Sequence, residues 1–382
     1  MNLMHASNQW ATRPFDERFE TVTEMKESAL QQAKASFEIS ANIHDVEVVP
    51  INQDIGIRRK SNGNDPAILS NWSFGQLCNI SGSPAGFLRT LNPEMATDIL
   101  NYKLQEREDR ESNIFLYKNG VYNVRSINSE KYGRIWDHKI CQVLEVIENS
   151  GWQCPPARPI SDEQPGTRRA TIDDVLKNSA FPGLGVKEGD LIAPAGLYRG
   201  DRDLFAFMVD DNKRIEDGSE GGLYRGIIVR NSEVGAAYFE LMTFLYRSIC
   251  GNHIIWETQD VKSFRIKHVG NAEQRLSTLM KSEIQKYITA TATNEEQKIK
   301  KAKKTIIGKD KEKVIDRLFG LRLATRQILG SAFNSVVPEI DGSPRSVYGL
   351  MNGLTRLSQK SGYSDKRFEI DKAAGQLMKL VE

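Results

Sequence analysis

The sequence has 382 residues, of which 39% are hydrophobic and 27% charged, as expected for one large soluble domain or two to three ordinary ones. No apolar run approaches the roughly 18 residues that a membrane span needs, and the N-terminal residues lack the basic flank and apolar stretch of a secretory signal. The formal net charge is only +2, so overall basicity does not indicate a nucleic-acid partner. Whether the chain binds nucleic acid must be judged from how its charges are distributed along the sequence.

Residues 1–65 are predicted to form a peripheral N-terminal arm. Helical spacing over residues 16–35 is followed by the strand-like "DVEVVPI" and the polar loop "RRKSNGNDP". This pattern favours an arm or an irregular β element.

Residues 66–152 read as a helical subdomain that ends in a β-hairpin. Gly82-Ser83-Pro84 breaks the first helix, and Pro93 opens a later one because proline is tolerated in the first helical turn. Asn119-Gly120 is a strong hairpin signal between two alternating segments, and residues 135–150 return to helical spacing.

The rest of the chain divides into a linker, a β-rich core and a helical end. Residues 153–170 hold four prolines and several charges and are predicted to be a linker. Residues 171–270 contain short strand-like segments with short polar connections, which favour an antiparallel meander. Residues 271–382 are helical and include the basic segment 298–313. The predicted fold class is α+β, an antiparallel meander backed by long helices.

The cysteines give no metal site. Cys78, Cys141, Cys154 and Cys250 include no CxxC pair, and only Cys250 has a histidine nearby, at His253. Zinc usually takes four ligands that arrive as close pairs, so no metal and no cofactor are predicted, and reduced thiols are expected.

The sequence contains no convincing catalytic motif. Gly308-Lys309-Asp310 lacks the hydroxyl and the upstream glycine of a P-loop, so ATP binding is rejected. Asp203, Asp211 and Lys213 resemble the acid and lysine spacing of metal-dependent nucleases. The same residues also fit ordinary turn chemistry, so a nuclease stays an alternative.

Cations and aromatic residues alternate through the β-rich region, the mixture that single-strand binders use to hold phosphates and stack on bases. The candidates for DNA contact there are Arg199, Tyr224, Arg225, Arg230, Arg247, Trp256, Lys262, Arg265, Lys267 and His268.

The second basic feature is the segment 298–313, in which eight lysines and two acids give a local charge of +6. Such a density attracts a polyanion, although lysines at a helix end also complement the helix dipole. The candidates for DNA contact here are Lys298, Lys300, Lys301, Lys303 and Lys304.

Five blocks in order resemble the phage and plasmid-like protein family of unknown function. They are "NWSFGQLCNISGSPAGFLRTL", "YNVRSINSEKYGRIWD", "RGIIVRNSEVGAAYFELMTFLYRSICGNHIIW", "RIKHVGN" and "SVYGLMNGLTRLSQ", spanning about residues 69–360. Five residues of the third block are interpreted as fold landmarks, that is, as structural residues at tight turns and not as functional ones: Asn231, Ser232, Gly235, Cys250 and Asn252.

The resemblance implies a mobile-element setting and a protein of the host cytoplasm. The leading hypothesis is a homo-oligomeric protein that binds single-stranded DNA, with ATP-independent annealing of the Rad52-like kind. Host or phage replication and recombination proteins are further expected partners, without a membrane. The alternatives are a host-takeover or anti-defence factor that binds proteins, and the nuclease.

Overall fold

A computed structural model describes residues 17–61, 65–154, 157–163, 167–179, 186–193, 196–217, 222–247, 252–255, 264–289, 293–359 and 364–381. The fold is α+β with two large sheets, as the sequence predicts. Some predicted residues lie outside this part: Cys250, Trp256 and Lys262 entirely, and the side chains of Asp211, Arg247, Asn252 and His253.

The chain alternates between strands and helices along its length. The strands are β1 (Arg18–Phe19), β2 (Ser36–Asn42), β3 (Val46–Ile51), β4 (Asp54–Arg59), β5 (Ala67–Leu69), β6 (Glu111–Asn119), β7 (Val121–Ser129), β8 (Trp152–Gln153), β9 (Arg158–Pro159), β10 (Arg168–Arg169), β11 (Leu191–Ala193), β12 (Leu197–Arg199), β13 (Leu204–Ile215), β14 (Leu223–Asn231), β15 (Phe239–Arg247), β16 (Asn252–Ile255) and β17 (Phe264–Ile266). The helices are α1 (Val22–Lys34), α2 (Asn71–Ser81), α3 (Ala85–Leu88), α4 (Pro93–Gln105), α5 (Asp137–Glu148), α6 (Ile172–Ser179), α7 (Ala272–Thr289), α8 (Thr293–Lys304), α9 (Lys311–Gly320), α10 (Arg326–Ser335), α11 (Pro338–Asp341), α12 (Val347–Gln359) and α13 (Ser364–Gln376).

The N-terminal sheet has six strands in the order β2-β6-β7-β5-β4-β3, and only its β5–β7 pair is parallel. Gly120 has φ +71° and closes the β6–β7 hairpin, which confirms the turn predicted at Asn119-Gly120. Of the two alternatives expected for residues 1–65, an arm or a β element, residues 36–59 form β strands, and β2, β3 and β4 are integral to this sheet. The boundary predicted at residue 65 therefore falls inside the sheet.

Helices α2 and α4 cover one face of the N-terminal sheet. Both begin with a side-chain cap, since Ser70 accepts from the N–H of Ser73 and Asn92 accepts from that of Met95. Pro93 is the first residue of α4, as predicted. The apolar side chains of these helices, such as Leu77 and Leu100, join the strands in one core.

The second sheet is the predicted antiparallel meander, in the order β1-β12-β13-β14-β15-β16, with β17 also paired to β15 and β8 to β13. Its inner face packs on α1 and α5, which join it in one core. Within the predicted linker, β9 and β10 pair with β11 in a small three-stranded sheet.

The C-terminal helices pack on the far end of the meander. Ile215, Leu223 and Leu245 of the sheet join α8, α9, α10, α12 and α13 in a third large core. The basic segment 298–313 therefore belongs to α8, the start of α9 and the connection between them. Within the described residues, no helix is both long and apolar enough to cross a bilayer.

Candidate nucleic-acid interface

The central Asn-Ser-x-x-Gly motif ends β14 and lies between the two sheets. Asn231 Nδ2 donates to the carbonyl of Ile135 at 2.9 Å and to Asp137 Oδ1 at 2.8 Å. Glu233 accepts from Arg125 Nη1 at 2.7 Å and from the backbone N–H of Asp137 at 2.9 Å. The motif thus joins β14 to β7 of the other sheet and to the first residue of α5.

Four charged side chains form a buried ionic cluster at this junction, namely Arg125, Asp137, Arg199 and Glu233, and each is at most 5% exposed. Arg199 Nε lies 3.1 Å from Asp137 Oδ2, and Arg199 Nη2 lies 3.9 Å from Glu233 Oε2. A lone buried charge costs several kcal/mol, so two cations beside two anions are what make this burial tolerable. The cluster is a structural junction between the sheets.

The two carboxylates of the cluster differ in acidity. Burial raises the pKa of Asp137 to about 6, and the negative charge of Glu233 adds to the rise. Burial pushes the pKa of Glu233 the same way, but the charges of Arg125 and Arg199 outweigh it and hold that pKa below its usual value. Asp137 is therefore the group that takes up a proton first as the pH falls.

His268 is also buried, close to the ionic cluster. Its Nδ1 lies 3.2 Å from the hydroxyl of Tyr132, which is also 3.1 Å from the carbonyl of Ser232. Burial first, and then the charge of Arg134, lowers the pKa of His268 to about 4, so the ring is neutral. Neither His268 nor Arg199 reaches a phosphate at the surface in this conformation, which corrects their assignment as DNA contacts.

Arg225 holds a helix in place. Its Nε and Nη2 lie 3.1 and 2.8 Å from Glu295 Oε1, and both side chains are buried. Glu295 is in the first turn of α8, so this pair fixes α8 to β14. Arg225 is therefore also removed from the predicted phosphate contacts.

Two other predicted cations on the sheet lie against aromatic rings. The guanidinium of Arg230 is 5.2 Å from the ring centre of Phe205, and the residue is half-buried. Arg265 is 3.8 Å from the ring centre of Tyr238, and its Nε is 3.3 Å from Glu240 Oε1. An acid thus neutralises part of the charge that the meander was expected to offer.

The remaining sequence-predicted residues of the meander are dispersed. Lys267 is exposed, and Tyr224 is half-buried in an apolar cluster on the sheet face opposite the α1–α5 core. Among the fold landmarks, Asn231 and Ser232 are fully buried, and Gly235 has φ +86°. These three therefore act as turn and junction residues, as expected.

The lysines of α8 divide between two sides of the helix. Ile299 and Ala302 are buried and define the inner side. Lys300, Lys301 and Lys304 are exposed, and at 100° per residue they project from the opposite side. We call these three residues the lysine face.

The other two lysines predicted on α8 are closer to the protein. Lys303 donates to the carbonyl of Asp217, and its ammonium lies 4.8 Å from the ring centre of Tyr348. Lys298 is half-buried. Lys303 therefore attaches the C-terminal end of α8, while Glu295 attaches its beginning.

The carboxylates proposed for a nuclease are not brought together. Asp203 precedes β13 and Asp211 lies within it, so at about 3.3 Å per residue they are roughly 26 Å apart. Two-metal catalysis needs ligands around ions only about 4 Å apart. Among the described residues, no group of three His, Cys, Asp or Glu side chains is arranged to hold a metal ion. The geometry gives the nuclease alternative no support.

Sequence reasoning missed Arg125, Asp137 and Glu233. The burial of Arg125 together with Val124 and Ser126 is visible only in the structure. A charge buried in this way implies a buried counter-charge from another segment.

Comparison with known proteins gives one match. Residues 176–362 match the model of DUF932, a domain of unknown function. The match covers just under half of the chain and includes β13 to β17, the central motif and α7 to α12. No curated protein and no solved structure shows a significant match.

Proposed function

We propose that the chain binds single-stranded nucleic acid through the lysine face of α8. Lys300, Lys301 and Lys304 are exposed, and among the described residues none of them has an acidic partner. Exposed ammonium groups without an acidic partner attract phosphates, and their binding releases the counterions condensed on the nucleic acid. This unpaired row of lysines is the observation that carries the proposal.

The distribution of charge supports the same surface. Segment 298–313 carries +6 in a chain whose total is +2, so the other residues sum to −4. Within the segment, Asp310 accepts from the N–H of Lys313 and caps α9, so its carboxylate already serves the helix end. A polyanion that approaches the protein is therefore attracted to one segment of an otherwise acidic chain.

The attachment of α8 gives the lysine face a fixed position. Its first turn is bonded to β14 through Glu295 and Arg225, and its last turn is bonded through Lys303 to Asp217, two residues beyond β13. A preorganised surface loses less conformational entropy on binding than a mobile tail.

Annealing of complementary strands is the finer activity that we propose, with the chain acting as an oligomer. Lysine contacts to phosphates carry no sequence information, which suits a protein that handles any strand. Strand annealing of the Rad52-like kind does not require nucleotide hydrolysis, which agrees with the lack of a P-loop motif in the sequence. The family resemblance adds the mobile-element setting.

A titration of a fluorescein-labelled oligo-dT by anisotropy at several salt concentrations tests the proposal. The triple variant Lys300→Gln, Lys301→Gln, Lys304→Gln removes the lysine face and keeps the helix propensity. If each lysine contacts one phosphate, the slope of log K against log salt flattens by about 2. The control changes three exposed lysines elsewhere to glutamine, Lys139, Lys372 and Lys379, and should keep the slope of the unmodified protein.

Equal binding by the lysine-face variant and the unmodified protein would place the polymer elsewhere. Absence of binding at low salt would remove the proposal and favour a protein-interaction factor. Equal affinity for duplex and single strand would overturn the single-strand assignment. Annealing is measured by the rate at which two labelled complementary strands pair, and it should fall with the same variant.

A further inference from the structure

The N-terminal sheet contains a cavity of about 310 Å³, remote in sequence from the lysine face. This volume is at the lower end of the range of small-molecule sites. The lining residues are Phe37, Ile39, Val46, Ile57, Arg58, Arg59, Asp65, Ala67, Ile114, Leu116 and Tyr122.

The cavity follows from the way the sheet curves. Six strands laid flat would separate β2 and β3 by about 24 Å, since neighbouring strands are about 4.8 Å apart. These edge strands are nevertheless consecutive in the chain, and only the 3-10 turn Ile43–Asp45 joins Asn42 to Val46. Four residues reach at most about 14 Å, so the sheet must bend its edges toward each other. The space is enclosed by the inner side of that bend.

The floor of the cavity is aliphatic. Val46, Ile57, Ala67, Ile114 and Leu116 line it, and each is at most 6% exposed. A polar group that entered this space would lose its water and find no side-chain hydrogen-bond partner on these walls. Its burial would cost several kcal/mol. The walls therefore select a molecule with an apolar body.

The rim of the cavity is polar and offers donors. Arg58 Nε donates to Glu47 at 2.7 Å, and Arg59 Nε donates to Asp45 at 3.2 Å. Among the described residues, the terminal amino groups of these two guanidinium groups have no hydrogen-bond acceptor. Each guanidinium is held at its Nε by one acid, Glu47 or Asp45, and its terminal amino groups remain available to donate to a carboxylate beside Asp65.

We infer that this cavity binds a small amphipathic carboxylate. The hydrocarbon body lies on the aliphatic floor, and the carboxylate lies at the rim against Arg58 and Arg59. The site uses none of the residues assigned to nucleic-acid binding.

Calorimetric titration with decanoate, decanol and decyltrimethylammonium tests both halves of the inference. Decanoate should bind more tightly than the other two. Ala67→Leu adds volume at the floor and should weaken decanoate at least tenfold, with Ile39→Trp as a second blocking variant if the first does not fold by circular dichroism. Val121→Leu, at an exposed position of the same sheet, is the matched control and should leave binding unchanged.

The rim is tested by Arg59→Gln, which should weaken decanoate several-fold without changing the affinity for decanol. Arg326→Gln, a change of the same kind on α10, should have no effect on either ligand. Absence of decanoate binding at millimolar concentration overturns the inference, as does unchanged binding in both blocking variants. Equal binding of the three ligands overturns the assignment of an anionic head.

Discussion

Arg225 on β14 and Glu295 in α8 are 70 residues apart in the chain, yet they form a buried ion pair with two hydrogen bonds to one carboxylate oxygen. The pair connects the first turn of α8, the helix with the lysine face, to the meander. An arginine that the sequence suggests for phosphate contact therefore acts as an internal support.

The first prediction concerns the stability of this pair. Glu295→Gln removes the carboxylate charge that accepts two hydrogen bonds from the buried Arg225 guanidinium, and it should lower the free energy of unfolding by about 3–5 kcal/mol. The double variant Arg225→Met, Glu295→Leu should recover most of that loss. Urea unfolding measures both. Arg326→Gln removes the exposed pair with Asp316 and should cost less than about 1 kcal/mol. A small effect of Glu295→Gln would contradict the buried pair.

The second prediction concerns pH and Asp137. Its pKa of about 6 in the fold exceeds the ordinary value near 3.9, so between these values the folded state holds a proton that the unfolded chain releases. The stabilisation is complete below about pH 4 and is lost as the pH rises through 6. Relative to Asp137→Asn, the unfolding free energy should fall by about 2 kcal/mol between pH 4.5 and 7.5.

Urea unfolding of the two proteins at matched pH values measures this difference. The lowered pKa of Glu233 contributes with the opposite sign, and the comparison with Asp137→Asn, which keeps Glu233, separates the two carboxylates. A difference that does not change with pH would show that Asp137 is ionised throughout.

The third prediction fixes the tautomer of His268. The Ser232 carbonyl only accepts, so the hydroxyl of Tyr132 donates to it and must accept from His268 Nδ1–H. Long-range ¹H–¹⁵N NMR should show the Nδ1–H form, and the ring should not titrate above pH 5 because its pKa is about 4. Tyr132→Phe should cost about 1–2 kcal/mol, since it leaves buried polar groups unpaired. An Nε2–H ring would contradict this network.

The fourth prediction concerns Gly235. At φ +86° any residue with a β-carbon has a strained backbone. A β-carbon added to Gly235 would also lie 3.3 Å from both Asn128 Oδ1 and the Tyr132 ring. Gly235→Ala should therefore lower the unfolding free energy by about 1–2 kcal/mol. Gly86→Ala, at an exposed helical position with open space around it, is the control and should be neutral or slightly stabilising. Equal effects of the two changes would mean that the turn tolerates side chains.

The meander and the β6–β7 hairpin were predictable because alternation and turn residues are local signals. The pairing of β2 with β6 was not predictable, because Ser36 and Tyr117 are paired although most of the N-terminal third of the chain separates them in sequence. Likewise, strand periodicity shows which way Arg225 faces, but not that an acidic residue of α8 stands opposite. The lysine face was predictable, since its charge lies within one short segment.

The core beneath the meander has a practical consequence for fragments of this protein. Val22 and Met25 of α1, together with Ile140 and Leu144 of α5, cover the inner face of β13 to β15, yet all four precede residue 176. A polypeptide cut to the DUF932 match would lack these side chains and expose that apolar face to water, which is an aggregation liability. Fragments of this protein should therefore keep α1 and α5 together with the meander.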